Sequence, residues 1–259
     1  MLDAAARGGT VEIEQGWTQG RAIYGGLTGA LLLSAARGRL PEALPLRALT
    51  VSFVGPASPG SAEVSAEVLR AGSNVTQCQA TLRQNGAVVA TALASFGRHR
   101  ESAVTVEPSH PMPELPEPSA VESIPYMEGL TPEFFRFMDL RLVEGNWPGS
   151  GADTSSITGW MALRESPGAF GAEHLVALAD AWPPAVLQML PGFAPASSLT
   201  WTVELVSELG PGAVDPAGRF AYEVTTDAAR DGYAHTHAML WNPDGTLVAI
   251  SRQTITVFG

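Results

Sequence analysis

The sequence predicts an α+β chain in which one unit, an apolar helix wrapped by an antiparallel sheet, is built twice. Three observations carry this. RQNGAVVATALA (83–94) and NPDGTLVAISRQ (242–253) are the same pattern, a Gly-containing turn followed by an apolar-rich strand. The predicted elements ahead of each copy come in the same order. Between the copies lies SHPMPELPEPSA (109–120), Pro-rich, acidic and without periodicity, which reads as part of a linker.

In the first copy, VEIEQGW (11–17) reads as a strand. YGGLTGALLLSAARG (24–38) follows as an Ala/Leu-rich helix closed by Gly38. Four strands are then expected from LRALTVSFV (46–54), AEVSAEVLR (62–70), NVTQCQATLR (74–83) and AVVATALASF (87–96), on β-branched content and partial alternation. In the second copy, FFRFMDLRLVEG (134–145) and SSITGWMALRE (155–165) supply strand material, and EHLVALADAWPPAVLQML (173–190) a helix that Pro183-Pro184 should bend or split. SSLTWTVELV, RFAYEVTTDA, YAHTHAMLW and TLVAISRQTITVF complete four more strands. Gly25, Gly26 and Gly29 let backbone approach the first turns of the first helix closely, which suits helix packing better than a dinucleotide motif: no GxGxxG is completed and hairpins, not helical crossovers, follow.

With 259 residues, 45% of them hydrophobic, a sizeable core is available. The net charge of −11 argues against a nucleic-acid partner. All 15 basic residues are Arg, so Schiff-base and P-loop lysine chemistry is excluded, although a few clustered Arg could still grip phosphate. The single Cys78 excludes a disulfide framework and a Cys-rich metal site. MLDAAARGG lacks the basic-then-apolar pattern of a signal peptide, and no apolar stretch is long enough to span a bilayer; a cytoplasmic protein with no membrane partner is expected.

GRAIYGGLTGALLLSAA (20–36), RAGSNVTQCQATLRQNGAVVATALASF (70–96) and DGTLVAISRQ (244–253), in that order over nearly the whole chain, resemble the acyl-CoA thioesterase II family of double-hotdog proteins. The resemblance implies a double hotdog: two hotdog units fused into a pseudo-dimer, placed at residues 1–98 and 125–259 with the linker at 99–124. It implies hydrolysis of acyl-CoA thioesters to free acid and CoA by an activated water, with no covalent intermediate, metal or other cofactor. A homodimer or higher homo-oligomer is left open.

The repeat offers its own test. Laying Glu67-Val68 on Glu223-Val224 places Leu69 opposite Thr225, and laying Gly86 on Gly245 places Ala94 opposite Gln253. Laying Leu49 on Leu199 places Thr50 opposite Thr200. At two of the three positions the second copy is polar where the first is apolar, so the second copy is expected to carry the site and the first to be mainly scaffold. The resemblance agrees: the family's network is similar to an acid, a Thr and a Gln around one water, and Thr225 and Gln253 stand at the Thr and Gln positions. The family's commonest acid position reads Thr200 here, and a hydroxyl cannot act as general base near neutral pH. Asp180, in the apolar helix of the second copy, is the preferred substitute, and Glu204, four residues after Thr200 on the same strand face, the runner-up.

Backbone N–H groups at the helix start near Glu173-His174 are candidates to hold the oxyanion. Gly25 and Gly26 are candidates to touch substrate, and Arg21, Arg47, Arg98 and Arg252 to meet the phosphates of CoA. The rival reading is a non-catalytic acyl-CoA or lipid-binding double hotdog, favoured by the missing strand acid. A hotdog hydratase lacks the expected Asp/His pairing. His235 and His237 share a strand face, but a third metal ligand is not evident, and no GxSxG elbow exists for a nucleophilic serine.

Overall fold

The two units share one sheet. The computed structural model describes residues 1–207, 209 and 215–258, and in it eleven strands run in the order β1-β5-β6-β7-β4-β10-β13-β12-β11-β9-β8, every neighbouring pair antiparallel. The first copy contributes α1 (Leu2–Arg7), β1 (Gly9–Ile13), a small ribbon of β2 (Thr18–Gln19) and β3 (Ala22–Ile23), α2 (Gly25–Arg37), β4 (Leu46–Phe53), β5 (Gly60–Ala71), β6 (Val75–Gln84) and β7 (Ala87–Gly97). The second contributes β8 (Met138–Glu144), β9 (Ser156–Leu163), α3 (Ala172–Ala179), β10 (Ala196–Leu205), β11 (Phe220–Arg230), β12 (Tyr233–Trp241) and β13 (Leu247–Val257).

The seam between the copies is the β4–β10 pair, where Thr50 faces Thr202 with their hydroxyl oxygens 3.2 Å apart. About that pair the register mirrors itself. Leu49 opposes Val203 and Val51 opposes Trp201 across the seam. On β4 Leu49 also pairs with Ala94 of β7, while on β10 Trp201 pairs with Gln253 of β13. Thr50 and Thr202 are therefore equivalent, as are Leu49 and Trp201, and Ala94 and Gln253. The expected match of Thr50 to Thr200 is two residues out. That match rested on the shared Leu-Thr pair, whereas the strand pairing, continuous from Thr200 to Glu204, sets Thr202 opposite Thr50.

Two helices lie side by side and antiparallel on the inner face of the sheet, with Asp180 at the end of α3 against Gly25 and Glu173 at its start against Arg37. In α2, Gly26 to Ala36 are all buried, because an Ala/Leu run with a single charge at its end has no face to offer water. α3 is shorter than the expected 173–190. It stops at Ala179 because Pro183-Pro184 cannot continue it, and a separate 3-10 turn, Ala185–Met189, follows. Gln188 in that turn is buried and pins it, accepting from the Asn146 N–H at 2.6 Å and donating to the Ser156 carbonyl at 2.9 Å.

The two hairpins that look alike in sequence close differently. Asn85 and Gly86 both take positive φ (53° and 79°), the two-residue turn that matches strand twist. Between β12 and β13 the loop is longer, and the Asn242 carboxamide oxygen holds it through the N–H groups of Asp244 (3.1 Å) and Thr246 (2.8 Å).

Much of the Pro-rich stretch lies on the protein rather than spanning a gap. Met112 and Leu115 pack on Trp160, Ala221, Trp241 and Leu247, and the Trp160 indole donates to the Pro116 carbonyl at 2.9 Å. Arg141 fixes the end of the segment through the carbonyls of Pro118 (2.7 Å) and Val121 (2.8 Å). Among the described residues no helix is long and apolar enough to cross a membrane.

Candidate active site

The antiparallel helix pair brings the start of one helix against the end of the other, and at one such junction it buries a carboxylate. Asp180 caps the C-terminus of α3 and faces the N-terminus of α2. A methyl group added to Gly25 would lie 2.6 Å from Asp180 Oδ2, and one added to Gly26 would lie 2.4 Å from the Ala177 carbonyl oxygen. Only Gly allows the α2 backbone to come this close. The N-cap residue of α2, Tyr24, makes no side-chain cap, and among the first-turn N–H groups that of Gly26 donates to Asp180.

Gln253 reaches the same carboxylate from the sheet. It is half-buried on β13, and its Nε2 donates to Asp180 Oδ1 at 2.5 Å. Tyr24 locks the junction: its ring is fully buried and stacks on Phe134 (centroids 3.9 Å apart), and its hydroxyl donates to the Ala177 carbonyl at 2.5 Å.

Burial is the dominant influence on Asp180, pushing its carboxyl up to about 7, against the pull of the Gln253 amide and the Gly26 N–H, which favour the charged form. The residue as a whole keeps partial solvent access, while its carboxylate is enclosed by protein. The buried phenols of Tyr24 and Tyr222 are pushed up as well, first by burial and then by the Asp180 charge, so both stay neutral donors. A carboxyl poised near neutral pH beside an amide and the N-terminal turn of a helix can hold a water, take its proton and stabilise negative charge on a neighbouring oxygen.

Several hydroxyls share the inner face with Gln253. Thr226, Thr236, Gln253 and Trp201 form one row across β11, β12, β13 and β10. The Thr226 hydroxyl is buried with no hydrogen-bond partner among the described residues. Ser198 pairs with Ile255, two residues beyond Gln253 on the same face. Sequence reasoning missed Ser198 because the bulge that follows it turns both Ser198 and Trp201 inward, which strict alternation forbids.

The structure thus brings together Asp180, Gln253, Gly25 and Gly26, and separates the other expected site residues from them. Thr225 is exposed: buried Val224 and the Thr226 hydroxyl take the inner face, and Thr225 points the opposite way. Thr200 and Glu204 are exposed on the outer face of β10, since Trp201, Val203 and Leu205 point inward. Glu204 therefore cannot replace Asp180, and an acid at position 200 would face away from the junction. Arg252 is exposed on the outer side too, 3.7 Å from Asp227.

Of the other Arg candidates, Arg47 donates to the Gly97 carbonyl (3.1 Å) and Arg98 pairs with Glu42. Arg21 is exposed on the ribbon just ahead of Gly25. The start of α3, expected to hold an oxyanion, is closed: Glu173 accepts from Arg37 Nε at 2.5 Å, and His174 Nδ1 accepts from the Gly171 N–H at 3.1 Å. His237 bonds Asp227 (2.6 Å) and His235 lies near Thr254 (3.3 Å). Among the described residues no group of three metal-ligating side chains forms.

Comparison with known proteins follows the two copies. The family described as the acyl-CoA thioesterase N-terminal domain matches residues 13–97, and that described as the acyl-CoA thioesterase C-terminal domain matches residues 111–257. Among solved structures, a conserved protein of unknown function with a hot dog fold from Alicyclobacillus acidocaldarius is similar at 23% identity and a TM-score of 0.86, over 100% of this chain and 98% of that one. A candidate thioesterase II from Thermobifida fusca YX is similar at 24% identity and 0.80, over 100% and 97%. An acyl-CoA thioesterase II, TesB2, from Mycobacterium marinum is similar at 19% and 0.73, over 92% and 90%. At these identities the likeness establishes the double-hotdog fold. No protein of curated function matches the chain.

Proposed function

The chain belongs to the acyl-CoA thioesterase family, and from that premise we propose that it hydrolyses acyl-CoA to free acid and CoA with Asp180 as general base. The observation that carries the reading is the Gln253–Asp180 hydrogen bond of 2.5 Å at the uncapped start of α2. Asp180 takes a proton from a water that the Gln253 carboxamide orients, and the resulting hydroxide adds to the thioester carbonyl. Negative charge grows on the carbonyl oxygen at the α2 N-terminus, where first-turn N–H groups and the positive end of the helix dipole stabilise it. Collapse of the adduct expels the CoA sulfur, and the proton held by Asp180 returns to it. Ser198 and Thr236, flanking Gln253 on the inner face, supply further hydroxyls to hold the water. Arg21, exposed ahead of Gly25, offers a positive charge to the phosphates of CoA.

This route uses no covalent intermediate and asks nothing of Thr200, so the missing strand acid no longer favours a purely binding role. The test is thiol release from acyl-CoA by the wild-type chain, Asp180→Asn and Gln253→Ala. The expected result is turnover by the wild type, a loss of at least about 100-fold in Asp180→Asn and about 10-fold in Gln253→Ala, with unchanged circular dichroism. Tight acyl-CoA binding without thiol release from any substrate would overturn it in favour of a binding protein.

A further inference from the structure

In a chain of net charge −11, three of the 15 basic residues gather around one acid far from the catalytic junction. Asp139 and Arg141 on β8 pair with Ala162 and Trp160 on β9, and all four face the outer side of the sheet, because Met161 and Phe220 take the core side. Arg219, the residue before β11, donates to Asp139 Oδ2 through Nε (3.1 Å) and Nη2 (2.7 Å). Arg141 donates to the same oxygen through Nε (3.3 Å) and Nη2 (3.2 Å), while its Nη1 holds the Pro118 and Val121 carbonyls. Arg164, just past β9, donates from Nη2 to the Met138 carbonyl at 2.8 Å. With Ser123 and Ser166 these residues line a cleft of about 300 Å³.

Asp139 is the one acid in that lining, so the cleft carries two surplus positive charges. Glu165 and Asp215 flank it in sequence but are exposed and outside the lining. The cluster is held in place: the side chains of Arg141 and Asp139 are 18% and 9% exposed. Burial works to raise the Asp139 carboxyl, but Ser123, Arg141 and Arg219 outweigh it and leave it below its usual range, so it keeps both guanidinium groups fixed. Donors are left over. Among the described residues, Arg164 Nε and Nη1 and Arg219 Nη1 make no hydrogen bond. The Ser123 hydroxyl is buried beside Asp139, yet its geometry completes no hydrogen bond there.

The lining selects the ligand. Guanidinium forks and hydroxyls match the oxygens of a phosphate. No aromatic ring is present to stack a base, Ala162, Leu163 and Ala217 make too small a wall for an acyl chain, and the volume is at the low end for small-molecule sites. We propose that this cleft binds the phosphate group of a small ligand, either free phosphate or a small phosphate monoester, at a site separate from the catalytic junction. Gln253 lies on the inner face, level with the Ser156 end of β9, and Arg164 stands eight residues further along that strand, about 26 Å away at roughly 3.3 Å per residue. A ligand here would tie together Ser123 at the end of the linker, Arg164 ahead of α3 and Arg219 ahead of β11.

The test is isothermal titration calorimetry at constant ionic strength with inorganic phosphate, glycerol 3-phosphate and acetate. The wild type, Arg164→Gln, Arg219→Lys and Asp180→Asn are compared. Arg164→Gln is the main variant because the residue is exposed and the fold does not depend on it. The wild type is expected to bind at least one phosphate ligand with Kd below about 1 mM and to gain at least about 2 °C in Tm at saturation. Binding should weaken at least tenfold in Arg164→Gln and at least fivefold in Arg219→Lys, which keeps the charge but loses the fork, and should be unchanged in Asp180→Asn. Tighter binding of glycerol 3-phosphate would identify a monoester as the ligand, and equal binding free phosphate. Saturable binding of neither, equal affinity in the wild type and both Arg variants, acetate bound as tightly as phosphate, or a loss confined to Asp180→Asn would each overturn the proposal, whatever the outcome for hydrolysis.

Discussion

The Gln253 carboxamide donates to Asp180 at 2.5 Å across 73 residues of sequence, and the carboxylate it holds is closed on its other side by Gly25 and Gly26 from the other copy. The two copies therefore divide the work. The second supplies acid and amide, and the first supplies the helix start at which charge can develop. The opposite junction, at Arg37 and Glu173, is occupied by an ion pair, which leaves the Asp180 junction as the one we propose for catalysis.

The pH profile should report Asp180. As a base it must be ionised, so kcat/KM is expected to rise with pH through about 7 and level off above it. The Gln253 amide favours the charged form, so Gln253→Ala should move the inflection upward as well as lower the plateau. A profile flat from pH 5 to 9 in the wild type would separate Asp180 from the proton transfer.

Stability should carry the opposite slope. The unfolded chain releases this proton near 3.8 and the folded chain only near 7, so between those values the folded state binds more protons. Stability from this group is complete at low pH, declines as pH rises through that window, and stays level above it. Allowing for partial solvent access, the loss is on the order of 1–3 kcal/mol. Urea midpoints measured across the window for wild type and Asp180→Asn check it: the decline attributable to this group should vanish in the variant.

Gly25 and Gly26 should respond differently to Ala. In a helix the change gains about 1 kcal/mol of propensity, so a loss must come from contact. At Gly25 the nearest obstacles are the Asp180 carboxylate (2.6 Å) and the Phe53 ring (3.2 Å), side chains that can shift, so activity should fall at least tenfold with a small change in stability. At Gly26 the obstacles are the Ala177 carbonyl (2.4 Å) and the locked Tyr24 ring (2.5 Å), neither of which can yield cheaply. Gly26→Ala should lose about 2 kcal/mol or more by chemical denaturation.

The α+β class, the duplication, the apolar helix and the Gly–Gly start of α2 were legible because each rests on composition or short-range pattern. Asp180 stood out as a charge inside an apolar run, and Gln253 as a polar residue where the first copy has Ala. What was not legible needed tertiary context. The side of Thr225, Thr200 and Arg252 depends on strand parity, which one bulge at Ser198–Thr200 reverses on β10. The docking of 112–121 depends on an apolar patch, Trp160 and Trp241, that forms only when β9, β11 and β12 pair.

Parity gives the last prediction. Thr225 and Thr200 are exposed on the outer side, opposite to the face that carries Gln253, and Ser198 lies on the Gln253 face because the bulged residue, Leu199, absorbs one step of alternation. Thr225→Ala and Thr200→Ala should each leave kcat/KM within about twofold of wild type, a change of less than about 0.5 kcal/mol in the barrier. Ser198→Ala should lower kcat about tenfold, roughly 1.4 kcal/mol, with KM little changed, as for a group that holds water rather than substrate. Steady-state kinetics on one acyl-CoA decide it. A silent Ser198→Ala together with a damaged Thr225→Ala would mean that the reactive water sits on the outer face, which no arrangement with Asp180 as base can accommodate.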